Sequence, residues 1–298
     1  MMNPIEQKIR SSLRITRLIP AYMPLALARR LIDIGLSRVK LPEGITQAKV
    51  VADGVPCVWL TPSNKKSEGV LLYLHGGGFV YGLTPPHFQM AAYLAEKLSM
   101  RILLVDYRVA PDHPFPAALD DCVTAYRWLV KQGVSGSKIA IAGDSAGGNL
   151  TLTTLMKLRE EGDQLPAAGV CLSPVANFAE RGEHAETEHD PLLHPRARKF
   201  FSESYVADAD PRSPYISPLH GDWQGLPPLL IHAGEDEVLR ADAQAIAEIA
   251  EAQSLDIEVK IFPRMWHVWQ LYLTLPEAIQ SLDEITSFLT GHLTRQGS

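Results

Sequence analysis

Residues 143–147 read Gly-Asp-Ser-Ala-Gly and directly follow the apolar run "KIAIA". Glycines two positions either side of a serine let a strand turn sharply into a helix, here one starting near Asn149. The Ser145 hydroxyl is then exposed on a strained turn. A serine presented in that way is a nucleophile for acyl groups, and its attack creates an oxyanion that needs preorganised N–H donors about 3 Å away. His75-Gly76-Gly77-Gly78, after the run "VLLYL", suits that need, because consecutive glycines let main-chain amides approach where side chains would block them. The Ala146 amide, next to the serine, adds a further donor. A phosphate-binding turn is the competing reading, but neither the G-x-G-x-x-G nor the Walker spacing occurs.

The serine also needs a base. Of ten histidines, His267 lies in the loop after the last strand-like run, "IEVKIFP", and completes the order serine, acid, histidine. The competing reading is a structural histidine held between Trp266 and Trp269. His75 belongs to the glycine run, and His87 and His113 fall in proline-rich loops. His184, His189 and His194 repeat every five residues, a spacing that does not share a helix face, so they read as a solvated loop rather than a metal cluster.

These residues require a scaffold, and the chain supplies one. The runs "VPCVWLTP", "GVLLYLH", "RILLVDY", "KIAIAG", "AGVCLSP", "PLLIHAG" and "IEVKIFP" read as strands. Amphipathic helical patterns lie between several of them, over Phe88 to Leu98, Ala117 to Lys131, Asn149 to Glu160 and Leu239 to Ala252. That alternation predicts an α/β fold with a mostly parallel sheet covered on both faces and a ligand crevice outside the carboxyl ends of the strands. Residues 1–45, read as helical, and the charged, His- and Pro-rich residues 178–217 break the rhythm and are expected to form a small cap. Residues 46–177 and 218–298 form the catalytic domain.

Composition narrows the class. A 298-residue chain with 46% hydrophobic and 21% charged residues has ample material for a core. A net charge of −6 argues against nucleic acid or an anionic membrane as a partner. Cys57, Cys122 and Cys171 are odd in number and widely spaced, which fits a reducing, cytoplasmic compartment rather than a disulfide framework or zinc site. No metal or cofactor is expected, because nucleophile, base and oxyanion donors all come from the protein. Near the N-terminus, Ala26-Leu27-Ala28 imitates a leader cleavage site. Pro20 and Pro24 interrupt its apolar run and Arg29-Arg30 follow directly, so the stretch reads as short helices packed on the body. No run approaches the roughly 18 apolar residues of a membrane span.

"HGGGFVYG", "VDYRVAPDHPFPAALDD", "GDSAGGNL", "SPYISPL" and "MWHVW" follow one another between residues 75 and 269. With them the chain resembles the hormone-sensitive-lipase-like branch of the α/β-hydrolases, the bacterial family IV carboxylesterases. The resemblance implies an α/β-hydrolase fold capped by N-terminal helices and a mid-chain insertion. It implies Ser145 as nucleophile, His267 as base, and the amides of Gly77, Gly78 and Ala146 as the oxyanion hole. It also implies a small-molecule ester substrate and dimers among the members. A small cap of modest apolar content suggests short to medium acyl chains. An amidase, lactonase or small-ester deacetylase would use the same triad. The plant gibberellin receptors, which resemble the family, lack the catalytic histidine that this chain keeps. "DYRVAPDHPFPAALDD" is expected to frame the site, and Asp144 to fix its own turn by hydrogen bonds.

The acid is harder to place. The family's D-P-L-x-D pattern is absent here, and the literal Asp190-Pro191-Leu192 lies in the insertion, before two of the core strands. "HAGEDEVLRAD", residues 232–242, holds Glu235, Asp236, Glu237 and Asp242. Counting from the end of "LLIHAG" favours Asp236, and counting back from Leu239-Arg240 favours Glu237. Two arguments select Glu237. The branch that resembles "GEDEVL" uses a glutamate there, and a helix starting near Val238 gives Asp236 a sufficient role as its N-cap.

Overall fold

The strand-like runs assemble into one eight-stranded sheet in the computed structural model, which describes residues 4–179 and 190–294. In chain order the strands are β1 (Ile45–Ala52), β2 (Val55–Pro62), β3 (Val70–Leu74), β4 (Arg101–Val105), β5 (Ile139–Asp144), β6 (Ala168–Leu172), β7 (Leu229–Gly234) and β8 (Ile257–Phe262). Their spatial order is β1-β2-β4-β3-β5-β6-β7-β8, parallel from β4 to β8 and antiparallel where β2 joins β1 and β4. Every residue of β3, β5, β6 and β7 is buried, which is why these strands read as continuous apolar runs rather than alternating ones.

Helices cover both faces. Leu94 of α4 (Pro85–Leu98) and Leu282, Ile285 and Leu289 of α9 (Pro276–Thr294) pack into one core layer. Leu119 and Val123 of α5 (Ala117–Lys131), Leu150 and Leu155 of α6 (Ala146–Glu160), and Ile246 of α8 (Arg240–Gln253) pack into the other. At the N-terminus, α1 (Pro4–Thr16), α2 (Leu18–Tyr22) and α3 (Leu25–Leu36) precede the sheet, and α7 (Pro195–Val206) lies between β6 and β7.

Several expectations need correction. The first strand begins at Ile45, within the stretch expected to be helical, and pairs with β2 through a two-residue hairpin. Asp53 and Gly54 both have positive φ, 48° and 99°, as the Asp-Gly turn of a twisted hairpin requires. His87 is not in a loop but in the first turn of α4, where its Nδ1 accepts the Thr84 N–H at 3.0 Å. α8 starts at Arg240, so Asp236 lies outside its capping position, and Leu239 precedes the helix with no side-chain cap. The reason is tertiary: residue 237 turns into the interior, and the Val238 N–H bonds Asp190 Oδ2 at 3.3 Å instead of entering a helix. The N-terminal helices pack only one face on the body, through Glu6, Arg10, Leu13 and Ala28, while Ile15 and Leu31 are exposed. Residues 180–189, with His184 and His189, lie outside the described residues. His194 caps α7, its Nδ1 accepting the Arg196 N–H at 3.2 Å.

Five loops leave the carboxyl ends of β3, β5, β6, β7 and β8, and the chemistry-bearing residues lie on them. α6 descends so closely over β3 that a β-carbon at Gly147 would lie 1.9 Å from the Leu74 carbonyl oxygen. Gly147→Ala is therefore expected to destabilise by at least the ~3 kcal/mol upper range of overpacking. Gly291→Ala, where a β-carbon meets nothing within 4 Å near the end of α9, should be neutral or stabilising by up to ~1 kcal/mol. Urea unfolding of the two variants checks this; equal stabilities would refute it.

Candidate active site

Ser145 follows β5 with φ 53° and ψ −115°, a conformation rare for any L-residue. Its N–H extends the sheet ladder by donating to the Leu172 carbonyl at 2.8 Å, which holds the turn against β6. The hydroxyl projects away, and Ser145 Oγ lies 2.8 Å from His267 Nε2. His267 stands five residues beyond β8, between the buried Trp266 and Trp269, and is itself 2% exposed. Desolvation lowers its pKa to about 4, so the ring is neutral near pH 7 and free to accept the serine proton.

The glycine run curls over this pair. Gly77 and Gly78 have φ of 121° and 62°, and the Val80 and Tyr81 N–H groups return to the Gly77 carbonyl at 3.2 and 3.0 Å. The amides of Gly77, Gly78 and Ala146 donate to no acceptor among the described residues. A β-carbon at Gly78 would lie 2.4 Å from the ring of Phe201 on α7, so this glycine makes room for an aromatic side chain.

Asp144 anchors the run. Its carboxylate accepts from Tyr73 Oη at 2.6 Å and the Gly76 N–H at 2.9 Å, and lies 3.4 Å from His87 Nε2. Burial alone would raise this carboxyl, but His87, Tyr73 and the Gly76 amide outweigh it and hold it below its ordinary value. Asp144 thus ties the serine turn to the glycine run rather than fixing its own turn. From the other side, Tyr107 of the proline-rich segment stacks on the His75 ring at 4.1 Å and donates to the His75 carbonyl at 2.6 Å.

The four carboxylates of residues 232–242 are separated by what they hold. Asp242 accepts the Ala176 and Asn177 N–H groups at 2.6 and 3.1 Å. Glu235 accepts the Arg264 N–H at 2.9 Å. Asp236 faces outward and pairs with Arg10 Nη2 at 2.8 Å. Glu237 turns inward, at 1% exposure like Asp242, but beside the His267 loop, where Oε2 accepts from Ser173 Oγ at 2.6 Å and the Gly234 N–H at 2.9 Å. Ser173 Oγ in turn accepts the N–H of Val268, the residue after His267, at 3.2 Å. Glu237 Oε1 and His267 Nδ1 are both buried and have no hydrogen-bond partner among the described residues. Desolvation raises the Glu237 carboxyl to about 8 against the bonds from Ser173 and Gly234, and the charges of Asp190 and Asp242 add to the rise.

Asp190 is also buried, and its carboxylate accepts the Leu192, Leu193 and Val238 N–H groups, bracing the residue after Glu237. Sequence reasoning did not single out Tyr73, Ser173 or Arg10. The one available signal for Ser173 was its place just past the carboxyl end of a strand. Among the described residues no three of His, Cys, Asp and Glu converge to hold a metal ion, and no helix is long and apolar enough to cross a membrane.

Residues 71–271 match a family described as having the alpha/beta hydrolase fold. An acetyl-hydrolase of Streptomyces hygroscopicus is 38% identical over 83% of this chain and 83% of its own. An esterase of Acinetobacter venetianus is 33% identical over 74% of this chain and 75% of its own. The crystal structure of an esterase from the bacterial hormone-sensitive lipase family superposes with a TM-score of 0.91 at 37% identity, covering 98% of this chain and 100% of that one.

The loops bearing Glu237 and His267 are clasped from outside by α1. Arg10 Nη2 bonds Asp236 and the Arg264 carbonyl, Nε bonds Glu6 Oε1 at 3.1 Å, and the guanidinium lies 4.9 Å from the Trp266 ring centroid. Arg10 is 8% and Glu6 0% exposed, so removing the arginine leaves a buried carboxylate with only the longer 3.9 Å contact to Arg264 Nη2. Arg10→Ala is expected to cost about 3–5 kcal/mol in urea unfolding. Arg10→Lys should recover less than half of that loss, because a point charge cannot span the three partners. A loss below ~1 kcal/mol would show that the clasp is idle.

Proposed function

The chain belongs to the α/β-hydrolase fold family, in its bacterial hormone-sensitive-lipase branch, and we propose that this carboxylic ester hydrolase works through an acyl-enzyme on Ser145. The observation that carries the reading is the 2.8 Å contact between Ser145 Oγ and His267 Nε2 on a turn that exposes the hydroxyl. As Oγ attacks the ester carbonyl carbon, Nε2 takes the hydroxyl proton, and the amides of Gly77, Gly78 and Ala146 receive the oxyanion. The proton then passes to the departing alcohol. A water molecule repeats the sequence on the acyl-serine and releases the acid.

Glu237 is the orienting carboxylate in this reading. Its unpaired Oε1, its burial and its link through Ser173 to the backbone beside His267 support the assignment, whereas Asp236 is engaged by Arg10. Short to medium acyl chains are favoured by the Phe201 ring, which occupies space beside the Gly78 amide. The name of the Streptomyces relative, an acetyl-hydrolase, points the same way.

With a short-chain chromogenic ester the protein should release a burst of alcohol, and Ser145→Ala should abolish burst and turnover. Glu237→Gln should lower kcat by roughly 10³–10⁴-fold, and Asp236→Asn by less than about threefold. Absence of turnover in the parent enzyme overturns the reading, and the reverse order of the two acid variants reassigns the acid.

The pH profile follows from burial. With Glu237 raised to about 8 and His267 lowered to about 4, the carboxyl is protonated and the histidine neutral between those values. The reactive form, Glu237 ionised and His267 neutral, accumulates as pH rises through the Glu237 value. kcat/KM should therefore climb with pH and reach half its maximum near pH 8. A midpoint at the ordinary histidine value of ~6.5 would place control on His267 instead.

A further inference from the structure

Ten large apolar side chains are exposed among the described residues, and eight of them fall between Ile5 and Ile34. They are not scattered. Ile15, Leu18, Ile19 and Tyr22 repeat at i, i+3, i+4 and i+7 along α1 and α2, which run on with a single break at Arg17. Leu27, Leu31 and Ile34 repeat at i, i+4 and i+7 along α3. At these spacings each set forms a stripe on one helix face, and here the stripe faces solvent while the opposite face packs on the body.

Charge is distributed in the same uneven way. Residues 1–40 hold eight Lys and Arg against two Asp and Glu, in a chain whose net charge is −6. One of those two acids, Glu6, is buried in the Arg10 pair. Lys8, Arg14, Arg30, Arg38 and Lys40 are exposed and join no ion pair among the described residues. The region continues onto α7, where Arg196 lies 5.0 Å from the Tyr22 ring centroid and Phe200 is 36% exposed. Phe201, the next residue, is the ring against Gly78.

We infer that the outer face of α1, α2 and α3 is a docking surface for an anionic lipid surface, bound peripherally. Solvent-facing apolar stripes flanked by unpaired cations are the composition that seats a helix in a headgroup layer, with acyl chains meeting the stripes and lipid phosphates meeting the cations. Charge complementarity selects this occupant. A second copy would bring two basic faces together, and a polyanion without acyl chains would leave the stripes in water. The negative net charge of the whole chain does not oppose it, because attraction to a charged surface is felt within a Debye length, ~10 Å at 0.1 M salt. Docked in this way, α7 and the glycine run beneath it lie beside the membrane. The inference goes beyond the esterase reading and does not depend on it, since binding is measured without turnover.

Co-sedimentation of the full chain with vesicles of phosphatidylcholine, with and without phosphatidylglycerol, tests it. Binding to the anionic vesicles should be at least ~10-fold stronger and should weaken with added salt. The pair Arg14→Glu with Arg30→Glu should remove the preference, and Ile15→Ser with Leu31→Ser should weaken binding ~10-fold. Both pairs should keep the parent's thermal transition and its activity on a water-soluble short ester. Equal or absent binding to the two vesicle types overturns the inference. So does a dimer in light scattering that Ile15→Ser with Leu31→Ser converts to monomer, because the face would then be a self-interface.

Discussion

At the end of β5 the backbone is held at φ 53° on a residue with a side chain, and much of the site depends on that turn. A non-glycine residue in so sparse a region costs of order 1–3 kcal/mol and persists only when its surroundings over-determine it. Here they do. The Ser145 N–H is bonded to β6, and the Asn149 side chain donates to the Val175 and Ile216 carbonyls at 2.8 and 2.9 Å. Gly143 and Gly147 allow strand and helix to approach closer than any β-carbon permits. The same turn sends Ser145 toward His267, leaves the Ala146 amide at the start of α6 without an acceptor among the described residues, and directs Asp144 back to hold Gly76.

The remaining site chemistry is governed by dryness. His267 and Glu237 are both almost fully enclosed, and burial pushes each toward its neutral form. A proton arriving at His267 therefore creates a charge that only a neighbouring anion can stabilise, which gives an orienting carboxylate its value in the proposed mechanism. The fold moderates the desolvation of Glu237 with one hydroxyl and one amide, from Ser173 and Gly234. It then braces the surrounding loops from outside with α1, so the N-terminal helix contributes to the site without touching the serine.

Much of this architecture was legible beforehand. All seven strand-like runs are strands: β3, β5, β6 and β7 are fully enclosed and so continuously apolar, while β2 and β8 are only partly buried. The hairpin joining β1 to β2 carries an Asp53-Gly54 signal, and α9 carries buried residues at helical spacing. The Asp236 cap failed for a different reason. The helical period of residues 239–250 is real, but the start of α8 was displaced by the inward turn of Glu237 and by Asp190, 48 residues away in sequence. Net charge is coarse in another way: a whole-chain sum of −6 averages over a basic, apolar N-terminal region.

The sequence by itself determined the α/β class, the sharp turn at Ser145 and the glycine run facing it. Each of these is enforced by residues at short, fixed offsets, where backbone sterics and side-chain period suffice. Only the tertiary structure decided which carboxylate is buried and which is an outward ion pair, and which hydroxyl and cation serve them. Those partners lie 64 residues apart for Ser173 and Glu237 and 226 apart for Arg10 and Asp236. Adjacent acids of nearly equal local propensity are told apart by burial and by distant partners, and both are properties of packing rather than of the residues themselves.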